Sequence, residues 1–191
     1  MTRKLYIGIS GKMGSGKTTL TNGLINNIDL GGHTTTERVS LAKPIKDIQD
    51  SIYSQLFMDM EGEKDRDLLI ALGMWGRGKD PDFWLKKAVE EMQRVDSRVI
   101  ICDDIRFINE ANWFKKNGIL MRINGEQRGS NVDHNTSNVT ETALDDYSFD
   151  YYLDNRESAE ATLSQALYCL MIHMNGKLEE DEDGKCERYK S

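Results

Sequence analysis

Two rhythms of apolar residues run along this chain: short unbroken runs, and longer stretches with apolar positions three and four apart. Leu5-Tyr6-Ile7-Gly8-Ile9, Val99-Ile100-Ile101-Cys102 and Ile119-Leu120-Met121-Arg122-Ile123 are of the first kind. Such runs predict strands buried on both faces, as in a parallel sheet. Arg38-Val39-Ser40-Leu41 and the stretch from Tyr147 to Leu153 add shorter strands, giving five. The second rhythm predicts helices. Leu20, Leu24 and Ile28 mark one over Thr19 to Ile28. Behind Pro44, which suits a first helical turn because its missing N–H is not needed there, Ile45, Ile48, Ile52 and Leu56 form a stripe that reads as core. Arg66 to Leu72 is read as helix ended by Gly73, and Phe83 to Val95 carries Leu85, Val89 and Met92 on one face. A helix follows the third strand, and Glu157 to Met174 closes the series with Leu163, Leu167, Leu170 and Met174. Gly31-Gly32 reads as a turn and Trp75-Gly76-Arg77-Gly78-Lys79-Asp80-Pro81 as a loop. Strands alternating with helices in this order predict an α/β fold, a three-layer αβα sandwich around a parallel five-stranded sheet.

Where the first strand meets the first helix stands Gly11-Lys12-Met13-Gly14-Ser15-Gly16-Lys17-Thr18. Glycines at this spacing let successive backbone N–H groups turn inward around a β-phosphate, and Lys17 reaches the β/γ oxygens as a point charge. Thr18 is positioned to ligate Mg²⁺. The helix that begins here adds the partial positive charge of its N-terminus. Gly11 through Thr19, with Lys12, Met13, Gly14, Ser15 and Gly16 between, are therefore the expected nucleotide-binding residues. The expected ligand is a nucleoside triphosphate.

Composition narrows the partners. The chain has 191 residues and a formal net charge of −7, of which the tail from Glu179 onward, with six acids and three bases, carries −3. That length suits one α/β domain over residues 1–175, followed by an acidic tail, 176–191, read as solvated and disordered. An acidic body argues against a general nucleic-acid-binding surface. Small anionic substrates remain compatible if bases gather in a pocket. Cys102, Cys169 and Cys186 lie far apart, and no ligand spacing links them to the histidines, so neither disulfides nor a zinc site is expected. No apolar segment approaches the ~20 residues of a membrane span. The expectation is a cytoplasmic, reduced protein.

Ligands of open parallel sheets gather at the carboxyl ends of strands, which directs attention to Asp103 and Asp104. One of the two is expected to help hold Mg²⁺, with Asp104 favoured because Arg106 returns a cation to the same strand end. Arg106 either stabilises charge on a transferring phosphoryl group or pairs with Glu110 one helical turn on. Arg77 and Lys79 lie near Trp75, Phe83 and Trp84, a mixture suited to a nucleotide: guanidinium for phosphate, aromatic faces for a base. Asn124-Gly125-Glu126-Gln127-Arg128-Gly129-Ser130 reads either as a short lid that brings Arg128 to the transfer site or as a surface loop.

Taken in order, Ser40-Leu-Ala-Lys-Pro-Ile-Lys46-Asp47, Leu72-Gly73 leading to Asp82-Phe83-Trp84, Asp104-Ile-Arg106 with Glu110, and Thr140-Glu141 followed by Phe149-Asp150 and Asn155 resemble the phage-type deoxynucleoside monophosphate kinases. The similarity runs from about residue 4 to 170. It implies a P-loop kinase fold, ATP with Mg²⁺ as cofactors, and a deoxynucleoside monophosphate acceptor converted to the diphosphate. Carried onto this chain, Lys17 and Thr18 hold phosphates and metal, Asp104 and Arg106 sit at the transfer site, and Lys46 lies near the acceptor, with Arg77, Trp75, Asp82 and Trp84 as substrate-binding candidates. The partners so implied are small nucleotides, with a homodimer compatible. The chain is shorter than those relatives between Leu56 and Arg66, which leaves base preference open. Two other readings stand beside this one: a P-loop kinase acting on a hydroxyl, including one on a modified base in DNA, and a nucleotide-driven switch or ATPase.

Overall fold

A computed structural model describes residues 4–29, 35–59, 64–125 and 143–179. In chain order the elements are β1 (Leu5–Gly11), α1 (Lys17–Asp29), β2 (Thr36–Arg38), α2 (Lys43–Gln55), α3 (Arg66–Lys79), α4 (Phe83–Arg94), β3 (Val99–Cys102), α5 (Ile108–Asn117), β4 (Ile119–Asn124), β5 (Tyr151–Asp154) and α6 (Ala159–Glu179). The sheet runs β2-β3-β1-β4-β5, and every neighbouring pair is parallel. The chain leaves β1 for the far edge at β2, returns through β3, and crosses β1 to reach β4. That reversal opens a crevice at the carboxyl end of β1, where the glycine loop lies.

Alternate residues of each strand face opposite sides of the sheet, and two cores result. Ile7, Ile9, Val99, Ile101, Ile119 and Met121 pack with α1 and α6. Ile100, Cys102 and Leu120 face the other way, toward Leu85 and Met92 of α4 and Phe114 of α5. All six of the strand residues on the α1 side are no more than 5% exposed, as the apolar runs require.

Several expectations change. Residues 75–79 are helix, not loop, because α3 continues to Lys79 through its glycines. At Gly76 the missing side chain serves close packing: a Cβ there would meet the Trp84 indole at 2.4 Å, and the indole N–H donates to the Gly73 carbonyl at 3.1 Å. Second, β2 ends at Arg38 and not at Leu41. Val39 still donates to Ile101 O at 2.9 Å, but Ser40, Leu41 and Ala42 turn away to bind the Asp104 carboxylate. Third, the α2 stripe is not core. Ile48 is 38% and Leu56 60% exposed, because α2 packs mainly against α3 and α4. The final strand is also shorter than expected, since Phe149 dips into the core and Asp150 uses its carboxylate to accept the Leu120 N–H at 2.9 Å. Helix α6 runs through the expected 175/176 boundary to Glu179, and the remainder of the acidic tail lies outside the described residues.

The glycines of α3 give a paired test. Gly76→Ala should destabilise the protein by about 1–3 kcal/mol, because the indole must move. Gly78, whose Cβ would meet nothing within 4 Å, should gain up to about 1 kcal/mol on the same change from helix propensity alone. Urea unfolding of both variants measures the contrast, and equal effects would contradict the packing role of Gly76.

Candidate functional site

The glycine loop has the backbone its sequence calls for. Gly14 and Gly16 take φ of 74° and 93°, the left-handed region that side-chain-bearing residues avoid. Ser15 between them is buried, and its Oγ has no hydrogen-bond partner among the described residues. Lys17 at the start of α1 folds its ammonium over the loop, donating to the carbonyls of Gly11 (2.8 Å) and Lys12 (2.7 Å). Lys12, Met13, Thr18 and Thr19 are exposed. The arrangement is a ring of backbone N–H groups, a cation and a helix N-terminus converging on one space, which is what a polyphosphate requires.

A residue from the far end of the chain braces the loop. Asn155, between β5 and α6, donates from Nδ2 to the Ser15 carbonyl at 2.7 Å, while its Oδ1 accepts from the Thr162 hydroxyl at 2.9 Å. A Cβ on Gly16 would meet that same Nδ2 at 2.5 Å, so this glycine serves close approach as well as φ. Beside it, Asn124, Gly125, Tyr152, Leu153, Asp154 and Arg156 line a cavity of about 390 Å³ at the ends of β4 and β5.

The two acids after β3 part company, as strand alternation demands. Asp103 follows Ile101 to the α1 side. It is 4% exposed, accepts from Thr21 Oγ1 at 3.1 Å and from Arg38 Nε at 2.9 Å, and so stands one helical turn from Thr18. Asp104 follows Cys102 to the α2 side. Its carboxylate takes the Ser40 hydroxyl at 2.6 Å and the N–H groups of Leu41 (3.0 Å) and Ala42 (3.2 Å). Asp103 is thus the acid on the side of Thr18 and α1, and Asp104 the acid on the side of α2. Among the described residues no cluster of three or more His, Cys, Asp and Glu could hold a metal ion. A hydroxyl and a single carboxylate beside a phosphate loop nevertheless fit Mg²⁺, which draws its other ligands from phosphates and water.

Arg106 is exposed at the same strand end. Glu110 bonds the backbone near it and not its guanidinium: the Glu110 carboxylate accepts the N–H groups of Arg106 (2.8 Å) and Phe107 (3.0 Å), closing the first turn of α5. Burial pushes the Glu110 carboxyl up to about 7, against the lowering effect of those two amides. Arg77 projects from the last turn of α3 over the Phe107 ring, 4.7 Å from its centroid, which joins it to the Arg106 loop. Asp82 accepts from Asn109 Nδ2 at 2.9 Å and so ties α4 to α5. Lys46 is exposed on the first turn of α2.

The aromatic candidates divide. Trp75 is 56% exposed and packs edge-on against Phe83. Trp84, a candidate base-stacking residue, is 5% exposed and wedged between α3 and α4, so it belongs to the core. Arg128 lies outside the described residues, as does most of the candidate lid. Cys102 and Cys169 are free thiols, and no described helix is long and apolar enough to cross a membrane.

Sequence reasoning gave no role to Arg122 or Asp145, and quoted Asn155 only as part of the resemblance. Arg122 had a signal, since it is the one charge in the apolar run Ile119-Leu120-Met121-Arg122-Ile123. Its Nη2 donates to Asp145 Oδ1 at 2.6 Å, and Lys12 of the glycine loop lies 3.6 Å from the other oxygen.

Comparison with known proteins agrees with this geometry. The family model described as phosphomevalonate kinase matches residues 9–119, more than half of the chain. No curated protein matches it. Among solved structures, the shikimate kinase of Aquifex aeolicus vf5 aligns at a TM-score of 0.54 and 12% identity, covering 90% of this chain and 99% of that one. A gluconokinase from Sinorhizobium meliloti 1021 aligns at 0.52 and 12% identity, covering 96% of this chain and 100% of that one. At such identities the likeness is one of fold, the three-layer αβα sandwich of P-loop kinases.

Two outcomes follow from the loop brace and from Glu110. Asn155→Asp places a carboxylate oxygen against the Ser15 carbonyl, and the KM for the nucleotide should rise roughly tenfold; an unchanged KM would mean that the loop keeps its shape unaided. The Glu110 pKa is raised from 4.5 to about 7 on folding, so its contribution to stability is full below the lower value and lost as pH rises through the upper one. Urea midpoints of the native protein should therefore carry a falling component across that window. Glu110→Gln should remove it, and parallel curves for the two proteins would refute the assignment.

Proposed function

We propose, starting from the fact that the chain belongs to the phosphomevalonate kinase family, that it transfers the γ-phosphoryl group of ATP to the phosphate of a small phosphate monoester, with a deoxynucleoside monophosphate as that acceptor. Kinase activity goes with the family. The acceptor is inferred from chemistry at the strand end.

The observation that carries the inference is the state of the two strand-end carboxylates. A hydroxyl acceptor calls for a carboxylate free to take its proton. Asp104 has both oxygens engaged by Ser40, Leu41 and Ala42, and Asp103 has both engaged by Arg38 and Thr21. Both acids serve as structural acceptors. A phosphate acceptor is already anionic near neutral pH, so transfer to it depends on cations and alignment instead. Arg106 and Arg77, joined through the Phe107 loop, are suited to that work, and Lys46 stands on the helix whose start Asp104 holds. The family's own name also describes an acceptor that already bears a phosphate.

For the donor, the loop N–H groups and Lys17 receive the β- and γ-phosphates, and the cavity beside Asn155 lies where a base attached to those phosphates can enter. Mg²⁺ would be held by the Thr18 hydroxyl, with Asp103 behind it on the α1 side. When bound it would offset negative charge on the donor's phosphates. Arg106 is suited to stabilise charge on the transferring group.

A second reading, a phosphorylated non-nucleotide acceptor, is favoured by the family match itself. A coupled assay with ATP and Mg²⁺ over deoxynucleoside and ribonucleoside monophosphates, phosphomevalonate, shikimate, gluconate and DNA separates these readings. Turnover is expected with a deoxynucleoside monophosphate and the corresponding diphosphate as product. ATP consumption that no monophosphate increases would reject a phosphate acceptor, and turnover on phosphomevalonate alone would replace the nucleotide by the second reading.

A further inference from the structure

Beside the phosphate loop, on the sheet face opposite α1, one acid is shared by two cations. Arg122 of β4 is the register partner of Ser10 in β1, the residue just before the loop. Its side chain is only 9% exposed. The guanidinium donates to Asp145 Oδ1 at 2.6 Å and to Ser10 Oγ at 3.4 Å, and lies 5.4 Å from the centroid of the Phe149 ring. Lys12 approaches Asp145 Oδ2 at 3.6 Å. Asp145 is therefore divided between a cation of the loop and a cation of the adjoining strand, and is itself 35% exposed.

Among the described residues one carboxylate, Asp145, is paired with both cations, in a protein whose formal net charge is −7. A guanidinium this buried is costly unless its donors are met, and a planar fork meets carboxylate and phosphate in the same way. Asp145 is the more exposed member of its pair with Arg122, so an anion arriving from the crevice can exchange with it without opening the core.

We propose that Lys12 and Arg122 form a second phosphate subsite, separate from the N–H cradle of the loop, and that Asp145 is an internal anion that competes with a ligand's phosphate for it. The ligand class is a phosphate monoester standing next to the donor's terminal phosphate, and the inference rests on the acceptor reading given above. Asp145 thereby limits affinity for weakly charged ligands. A dianion that spans both cations replaces both contacts at once, whereas a monoanion or a hydroxyl compound does not.

Titration of inorganic phosphate into the full-length protein saturated with ADP, followed by calorimetry, tests this directly. Asp145→Asn should bind phosphate about tenfold more tightly than the native protein, since it keeps the side-chain shape and loses the competing charge. Lys12→Gln, a change at a half-exposed side chain, should bind phosphate more weakly, and it keeps the test decisive should Asp145→Asn fold poorly. Phosphate affinity that does not rise in Asp145→Asn, or does not fall in Lys12→Gln, overturns the proposal. Should monophosphates be phosphorylated while Asp145→Asn binds phosphate no better, the subsite fails and the proposed function stands. Tighter phosphate binding in Asp145→Asn with no turnover on any phosphate monoester gives the reverse result.

Discussion

Strand alternation at the end of β3 sends two successive carboxylates to opposite faces of the sheet, and much of the site depends on what each one holds. A buried carboxylate must find donors, and each finds them in a different layer. Asp103 takes Thr21 and Arg38, so it joins α1 to the edge strand β2 and sets the helix that begins at the glycine loop. Asp104 takes Ser40, Leu41 and Ala42, which ends the edge strand and starts α2 at a defined place. Because α2 packs mainly on α3 and α4, that contact is its chief tie to the strand ends. Lys46, Trp75 and Arg77 all belong to this helical block. Their position relative to the loop follows from this carboxylate together with the packing of α4 on the sheet and the Asp82–Asn109 contact.

The donor side has a corresponding brace. Gly14 and Gly16 allow the loop its turn, but glycines also let it adopt other shapes. Asn155 restricts that freedom by binding the Ser15 carbonyl, and Thr162 of α6 holds Asn155 in turn. A loop built from the first strand is thus steadied by the last helix. The β4–β5 cavity shares this corner, so a nucleotide there would touch both ends of the fold.

Sequence pattern revealed the layers, the strand count and the phosphate loop because each rests on local periodicity or on one contiguous motif. It failed where tertiary contact overrode local preference. Gly73, Gly76 and Gly78 read as breakers, yet α3 continues, since the Trp84 indole fills the space that a side chain on Gly76 would take and bonds the Gly73 carbonyl. The same contact removed Trp84 from the substrate candidates. The choice between Asp103 and Asp104 was in principle legible: counting by twos from Ile101 and Cys102 assigns each acid its face. The contacts of Asn155 and Asp145 with the glycine loop were not legible in this way, for Ser15 and Lys12 lie more than 100 residues away in the chain.

Several charges of the site are bound before any ligand enters. Lys17 lies on two loop carbonyls, Arg38 on Asp103, and Lys12 and Arg122 on Asp145. Binding of an anion is then an exchange of partners and not a simple attraction. Exchange favours a ligand that replaces every contact it breaks, which a phosphate group with three oxygens can do and a single hydroxyl cannot. In a chain of net charge −7, long-range attraction contributes little to anion capture, and screening by salt should matter correspondingly less than the geometry of replacement. On the proposed reading, selectivity for phosphate over neutral ligands would arise where a cation must give up a partner to bind, and Asp145 would belong to the recognition machinery although it repels the ligand.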